Sequence, residues 1–449
     1  MLLRLVALSA LFGFLFGFDE GVIAGALPFI GKQFEISPAS EGFMTAAVPL
    51  GAVAGAVLAA AWSDRFGRRR VLLACSVLFG VGSIICGVTP SIVVLTLARL
   101  LLGIAIGASS MAAPMFLAEL APAERRGAIV SAFQLMITVG ILVSYLVGLA
   151  LADSGHWRAM LTLGVVPAVV TFFGMISAAE SPRWLVLQGR ASEAAGVIRS
   201  LQPELGPAQV DRMVQEIEAR SHASGEAPGW HAFLAPGVRG VTVFAMMAFL
   251  LQQVSGINAV IYYAPRILHS GGYGSTFEQL LGTVGIGAIN VLMTFVAIAT
   301  VDRLGRRPLF VFAFVGTAAS LLVIAWAMGN GVPPVIGLIG LFAYIAVFAM
   351  SLGPLPWLYM SELFPLQLRS RGMALASVSN WSFNFLVVFL FPVATGWLGT
   401  MGTMLVFAGF CAAGAVYAVI WAPESKGESL EALETRLAAQ PVGMKVAGE

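Results

Sequence analysis

One short string occurs twice in this chain, each time between two long apolar runs. The copies are Asp64-Arg65-Phe66-Gly67-Arg68-Arg69-Arg70 and Asp302-Arg303-Leu304-Gly305-Arg306-Arg307-Pro308. Two further pairs repeat at about the same offset, roughly 240 residues. Glu119-Leu120-Ala121-Pro122 with Arg126-Gly127 matches Glu362-Leu363-Phe364-Pro365 with Arg371-Gly372, and Glu180-Ser181-Pro182-Arg183 matches Pro423-Glu424-Ser425-Lys426-Gly427. The 449 residues therefore read as two related halves.

Composition fixes the solvent of those halves. With 59% apolar residues, 11% charged residues and a mean hydropathy of +0.90, the chain has too little polar surface to coat a soluble domain of its length. The bilayer is the alternative solvent, and a helix needs about 20 apolar residues to cross it. Twelve such runs are predicted, six per half: 5–30, 43–62, 71–89, 91–118, 127–152, 157–179, 239–268, 277–301, 308–329, 333–361, 370–399 and 402–422. The fold class expected is all-α, with an N-terminal half at 1–179, a helical linker at 180–238, a C-terminal half at 239–422 and a cytoplasmic tail at 423–449. Large internal repeats in such chains place the substrate site where the halves meet.

Met1 to Phe18 resembles a signal peptide, with Arg4 ahead of an apolar stretch and Ala24-Gly25-Ala26 like a cleavage site. Asp19-Glu20 interrupts that pattern and apolar sequence continues to Ile30, so the segment reads as the first span. With both termini in the cytoplasm, every Lys and Arg outside the membrane faces that side except Lys32, Arg158 and Arg266, which is the asymmetry that sets orientation. Cys75, Cys86 and Cys411 lie inside apolar runs and read as packing residues, not as a disulfide or metal set. The four histidines are scattered in loops or helix ends, and no cluster has catalytic or metal spacing, so neither an enzyme nor a cofactor is expected. The linker has helical periodicity and mixed charge, as for a few short helices.

Three ionisable residues stand well inside the spans: Asp19 and Glu20 in the first and Arg99 in the fourth. A charge at mid-bilayer costs ~2.5–3.5 kcal/mol on insertion scales, so such residues have partners. Counted from the outer helix ends at 1.5 Å per residue, Asp19 and Arg99 lie at depths that agree within roughly 5 Å, and they can pair. One reading is a static tie between two helices. The other is a proton device, because burial disfavours the carboxylate and a guanidinium restores it, so separating the pair changes its proton occupancy. Glu20 points about 100° away and sits nearer the exit, so it reads as a vestibule residue in preference to a second proton carrier.

The polar residues of the second half suit a neutral ligand rich in hydroxyls. The seventh span carries Gln252-Gln253-Val254-Ser255-Gly256-Ile257-Asn258, where Gly256 lets the helix bend and the amides converge. Each amide both donates and accepts, as sugar hydroxyls require. Gln134, Asn290, Asn380 and Asn384 extend the set, and Trp357 and Trp381 offer flat apolar faces. Amides that serve only as glue between helices are the alternative. Gly353-Pro354-Leu355-Pro356-Trp357 predicts a break in the tenth span, at a depth where a hinge would close a pocket.

Together these strings resemble the sugar porter branch of the major facilitator superfamily, over almost the whole chain. Asp-Arg-x-Gly-Arg-Arg alone indicates only the superfamily. Glu-Ser-Pro-Arg at 180–183, Gln-Gln-x-x-Gly-x-Asn at 252–258, Gly-Pro-x-Pro-Trp at 353–357 and Pro-Glu-Ser-Lys-Gly at 423–427 are more specific. The resemblance implies that Gln134, Gln252, Gln253, Asn258, Asn290, Trp357 and Asn380 bind sugar, with Asn384 on the same face as Asn380. It implies that Asp19 is the proton site with Arg99 its partner, since passive members carry a neutral residue there. It also implies a cytoplasmic gate built from Arg65, Arg69, Glu119, Arg126, Glu180, Arg303, Arg307, Glu362, Arg369 and Glu424. Departures are Glu20, where Thr is usual, Ala179 before Glu180, and Ala422 before Pro423; Asn380-Trp381 resembles members that carry hexose.

The expected function is proton-coupled symport of a neutral monosaccharide, a hexose such as glucose, by alternating access. A passive uniporter of the same fold and a sugar sensor that does not transport are the rival readings; the sensor would need a longer tail than the roughly 25 residues after the last span. One proton moving down ~150 mV supplies about 3.4 kcal/mol, enough for roughly 300-fold accumulation. The partners expected are the sugar, the proton and the lipid bilayer, with no nucleic acid and with the monomer as the working unit. The excess of Arg (22) over Lys (3) fits a GC-rich bacterial genome, and the location expected is a bacterial cytoplasmic membrane, multi-pass.

Overall fold

The computed structural model describes residues 2–120, 126–223, 230–364, 368–424 and 426. Five long helices begin the chain: α1 (Leu2–Phe34), α2 (Pro38–Phe66), α3 (Arg68–Val88), α4 (Ile92–Leu120) and α5 (Arg126–Ala150). The sixth span is two pieces, α6 (Trp157–Thr162) and α7 (Val165–Ile176), interrupted at Leu163-Gly164. Short helices α8 (Pro182–Leu187), α9 (Ala191–Leu201) and α10 (Pro207–Ala223) follow, where the sequence predicted a helical linker. They have a small core of their own, in which Trp184, Leu185, Ala194, Ile198, Val210 and Val214 are buried.

The second half repeats the pattern with more breaks. It contains α11 (Pro236–Val254), α12 (Ile257–Ser270), α13 (Thr276–Leu304), α14 (Arg306–Gly329), α15 (Pro334–Val347), α16 (Leu355–Leu363) and α17 (Arg369–Trp421). Gly256, in the left-handed region at φ 92°, separates α11 from α12 within one span. A π-helical turn over Phe348–Leu352 followed by Gly353-Pro354 separates α15 from α16, at the predicted break. Among the described residues eleven segments are long and apolar enough to cross a membrane, and the last runs from Arg371 to Trp421. Gly399, at φ 67° and ψ 169°, divides that segment in two, so the span count is the predicted twelve.

Helix packing places the charged pair. α2 and α4 pack closely, because a side chain at Gly103 would collide with the Val48 carbonyl; small residues at such contacts let backbones approach in a membrane. That approach sets Arg99 of α4 beside the backbone of Met44 and Thr45 on α2. The cysteines are free and buried, as packing residues.

Candidate functional site

Asp19 and Arg99 meet as the sequence predicts. Arg99 Nη1 lies 3.9 Å from Asp19 Oδ1, and both side chains are almost fully buried. Arg99 Nε donates to the Met44 carbonyl at 3.1 Å, yet Arg99 Nη1 and Asp19 Oδ2 have no hydrogen-bond partner. A well-seated carboxylate–guanidinium pair runs about 2.7–2.9 Å with its atoms satisfied. This pair is close enough to feel its charge and loose enough to separate.

Glu20 corrects the sequence reading. It is 5% exposed, not a solvated vestibule residue, because α12 of the other half covers it. Tyr262 Oη donates to Glu20 Oε1 at 3.4 Å across that contact. Tyr145 of α5 reinforces it by donating to the Ile261 carbonyl at 2.9 Å. The α12 part of the seventh span is thus held by α1 and α5. Farther along α12, Arg266 Nη1 lies 2.9 Å from Glu41 Oε1 of α2. All of these contacts lie away from the arginine strings, in the part of the bundle toward the opposite end.

The amides of α11 and α12 converge around the break at Gly256. Gln253 Nε2 donates to Asn380 Oδ1 on α17 at 2.6 Å, and Asn258 Nδ2 donates to Gln253 Oε1 at 2.9 Å. Gln252 Nε2 donates to the Leu352 carbonyl at 2.7 Å, beside the break between α15 and α16. Asn290 and Asn384 are buried, and Asn384 Oδ1 has no partner. Trp381 is buried against Phe16 of α1 with its centroid 5.2 Å away, and its indole N–H is unpaired. Trp357 is half-buried and meets Phe249 edge-on at 4.7 Å. Gln134 of α5 is half-buried and outside the amide network. The site can offer hydroxyl groups several donors and acceptors, and few buried polar atoms are left unbonded without a reason.

Several of the residues expected to form a gate make two matching anchors, each within its own half. Glu180 accepts from the backbone N–H of Arg68 at 3.1 Å and of Arg69 at 3.2 Å, so its carboxylate caps the start of α3. Glu424 does the same for α14, accepting from Arg306 at 3.0 Å and Arg307 at 3.1 Å. Helix N-termini attract carboxylates because their first N–H groups lack intrahelical partners. Gly67 at φ 91° and Gly305 at φ 87° turn the chain so that each cap can form.

The arginines that pair inside these anchors are ones the sequence reading missed, whereas their partners Glu119 and Glu362 are ones it named. Arg68 Nε lies 3.1 Å from Glu119 Oε2, and Arg306 Nη2 lies 3.0 Å from Glu362 Oε1. Arg65 and Arg303 are exposed instead, with the Arg65 guanidinium over the ring of its neighbour Phe66 at 5.1 Å. Arg69 and Arg307 turn to helix-end carbonyls, Met175 at 3.0 Å and Val419 at 2.7 Å. The signal was available: Arg68 and Arg306 each directly follow the glycine that starts a helix. The side chains of Arg126 and Arg369 lie outside the described residues.

The sequence of this chain matches the model of the family described as "Sugar (and other) transporter" over residues 5–437. It is 37% identical over 435 residues to the galactose-proton symporter of Escherichia coli, covering 96% of this chain and 93% of that protein. It is 36% identical over 433 residues to the glucose transporter GlcP of Staphylococcus epidermidis, covering 96% of each. Its fold matches the xylose transporter XylE from E. coli in a partially occluded inward open conformation, with a TM-score of 0.84 at 30% identity, over 95% of this chain and 99% of that one. A twelve-span bundle with paired arginine anchors and a buried amide cluster, aligned end to end with these proteins, is a membrane transporter and not an enzyme: the chain belongs to the sugar transporter family, within the major facilitator fold.

Proposed function

We propose that this protein is a proton-coupled symporter of a neutral monosaccharide, a hexose such as glucose, working by alternating access. The observation that carries the reading is the buried Asp19–Arg99 pair, 3.9 Å apart, with one carboxylate oxygen and one guanidinium nitrogen unbonded. A loose pair of this kind exchanges a proton when the helices holding it shift. Asp19 is the proton site and Arg99 the group that releases it. Gln134, Gln252, Gln253, Asn258, Asn290, Trp357, Asn380 and Asn384 bind the sugar from both halves. The amides carry no charge, and Arg99 faces Asp19, so no cation is free there for an anionic substrate.

The preference for hexose over pentose rests on Asn380-Trp381, since the relatives include proteins named for glucose, galactose and xylose alike. The arginine anchors act as the cytoplasmic gate. Residues 180–238 form the helical linker between halves at 1–179 and 239–422, with 423–449 as a tail; both termini are cytoplasmic in a bacterial membrane, and one chain suffices.

The test is uptake in proteoliposomes under an imposed proton gradient, with a panel of hexoses and pentoses. The parent should concentrate a hexose and take up protons with it. Asp19→Asn should lose uphill accumulation while keeping sugar exchange between equal pools. An Asp19→Asn protein that still concentrates sugar would remove Asp19 from the coupling step.

A further inference from the structure

Two carboxyl groups, not one, are buried at the middle of α1, and they face different halves. Asp19 faces Arg99 of α4 in its own half, and Glu20 faces Tyr262 of α12 in the other. The groups around Glu20 are few. Among the described residues they are Asp19 of α1, Tyr145 of α5 and Tyr262 of α12, while Arg99 of α4 and the thiol of Cys86 of α3 lie with Asp19. Arg158 of α6 stands at the far end, bonded to Gln33 and the Thr89 carbonyl. Arg266 of α12 is taken by Glu41. Among the described residues, the guanidinium at this depth pairs with Asp19, and Glu20 has the Tyr262 hydroxyl in place of a cation.

A second buried carboxylate without a cation of its own is costly in a membrane, and a proton removes the cost. Tyr262 covers Glu20 only while α12 is packed against α1. From this arrangement we infer that Glu20 is a second proton-binding residue of the transport cycle: it takes up one proton when α12 closes over it and returns it when α12 leaves. The reaction is protonation of one carboxylate oxygen by solvent and its reversal, with no other bond changed. Tyr262 positions the group, since its hydroxyl donates to Glu20 Oε1 in the closed arrangement. The sign follows from the proton count: the closed arrangement binds one more proton, so closing strengthens as pH falls. The inference deepens the symport reading, and it stands or falls separately from the role of Asp19.

The measurement is the distance across the outer face by pulsed electron resonance, with spin labels at Ser40→Cys and Ser270→Cys, both exposed, on full-length protein in nanodiscs. The native cysteines are buried. No sugar is required. With Asp19→Asn as background, which removes the first carboxyl, the ratio of closed to open protein should still rise as pH falls, by up to about tenfold per unit. Adding Glu20→Gln, which keeps an acceptor for Tyr262 but cannot titrate, should flatten that dependence. Tyr262→Phe should lower the closed fraction by a similar factor at every pH and leave the slope. A slope already flat in Asp19→Asn alone, or one that survives Glu20→Gln, would overturn the inference. Uphill uptake in Asp19→Asn would overturn the Asp19 assignment and leave this one standing.

Discussion

The two halves are alike at the end that carries the arginine strings and unlike in the middle. At that end each half uses the same parts: a glycine at positive φ, an arginine that begins a helix, a glutamate that pairs with it, and a second glutamate capping the helix. In the middle, α1 and α4 of the first half hold Asp19, Glu20 and Arg99, while α11, α12 and α17 of the second hold Gln252, Gln253, Asn258 and Asn380. Both halves need the same mechanical fixture, so the repeat survives there. On the proposed roles the interior would need charge for a proton and amides for hydroxyls, and those demands differ. On the same proposal substrate and proton would be linked without touching, since α1 meets α12 through Glu20 and Tyr262 and α12 begins at the amide cluster.

The anchors offer the largest way to break the comparison. The Arg68–Glu119 pair is nearly fully buried, whereas in the Arg306–Glu362 pair the side chains are 10% and 17% exposed. Removing one partner of a buried pair costs about 3–5 kcal/mol where it leaves a charge uncompensated; exposure reduces that penalty, and so does a second partner such as Asp64, 3.4 Å from Arg68. Glu119→Gln should therefore lower the melting temperature of the purified protein more than Glu362→Gln does. Equal shifts would mean that burial does not distinguish the two anchors.

The amide cluster sharpens the comparison at the next level. A neutral hydrogen bond contributes ~0.5–1.5 kcal/mol, and leaving a buried hydroxyl unpaired costs ~1–3 kcal/mol. Gln252→Ala and Gln134→Ala should each weaken sugar affinity by roughly 5- to 150-fold, as read by calorimetry. They should differ in stability. Gln252 also holds the Leu352 carbonyl at the break between α15 and α16, whereas Gln134 has no such duty among the described residues. Gln252→Ala should thus lower the melting temperature and Gln134→Ala should not. Wild-type affinity in both variants would mean that the amides are glue between helices.

Much of this was legible because a membrane forces the sequence to be explicit. Span lengths follow from bilayer thickness, and a charged residue inside a span is so costly that Asp19 and Arg99 could be matched by depth alone. Gly256 and Gly353-Pro354 announced their breaks. The interruption at Leu163-Gly164 went unread although the sequence marks it: Gly164 is followed by Pro167, which lacks the N–H that would bond the Leu163 carbonyl, while both residues stay near helical angles. Glu20 was misplaced because its cover, Tyr262, lies 242 residues away on another element, and periodicity along α1 says nothing about what packs on it. The arginines were misassigned for a local reason. Gly67 and Gly305 reverse the chain direction, and only the residue after each glycine is carried inward.

That last point yields the smallest effect and a clean control. Arg65 and Arg303 occupy equivalent places in the repeated string, just before the turn, and both are exposed. Arg65 lies over the ring of Phe66, a contact worth about 0.5–1 kcal/mol at an exposed site. Arg303 contributes its backbone carbonyl, which accepts from Lys426 Nζ at 2.7 Å and would remain after truncation of the side chain. Arg303→Ala should leave stability and uptake within the small range of surface changes, about ±0.5 kcal/mol, and Arg65→Ala should cost slightly more. Arg68→Ala and Arg306→Ala at the neighbouring buried positions should cost several times as much, because each removes the ion pair with Glu119 or Glu362. The comparison is a melting curve for all four variants in one detergent. If the exposed pair proves as damaging as the buried pair, the outer arginines of each string have work in another state of the cycle, in which the two halves meet at this end.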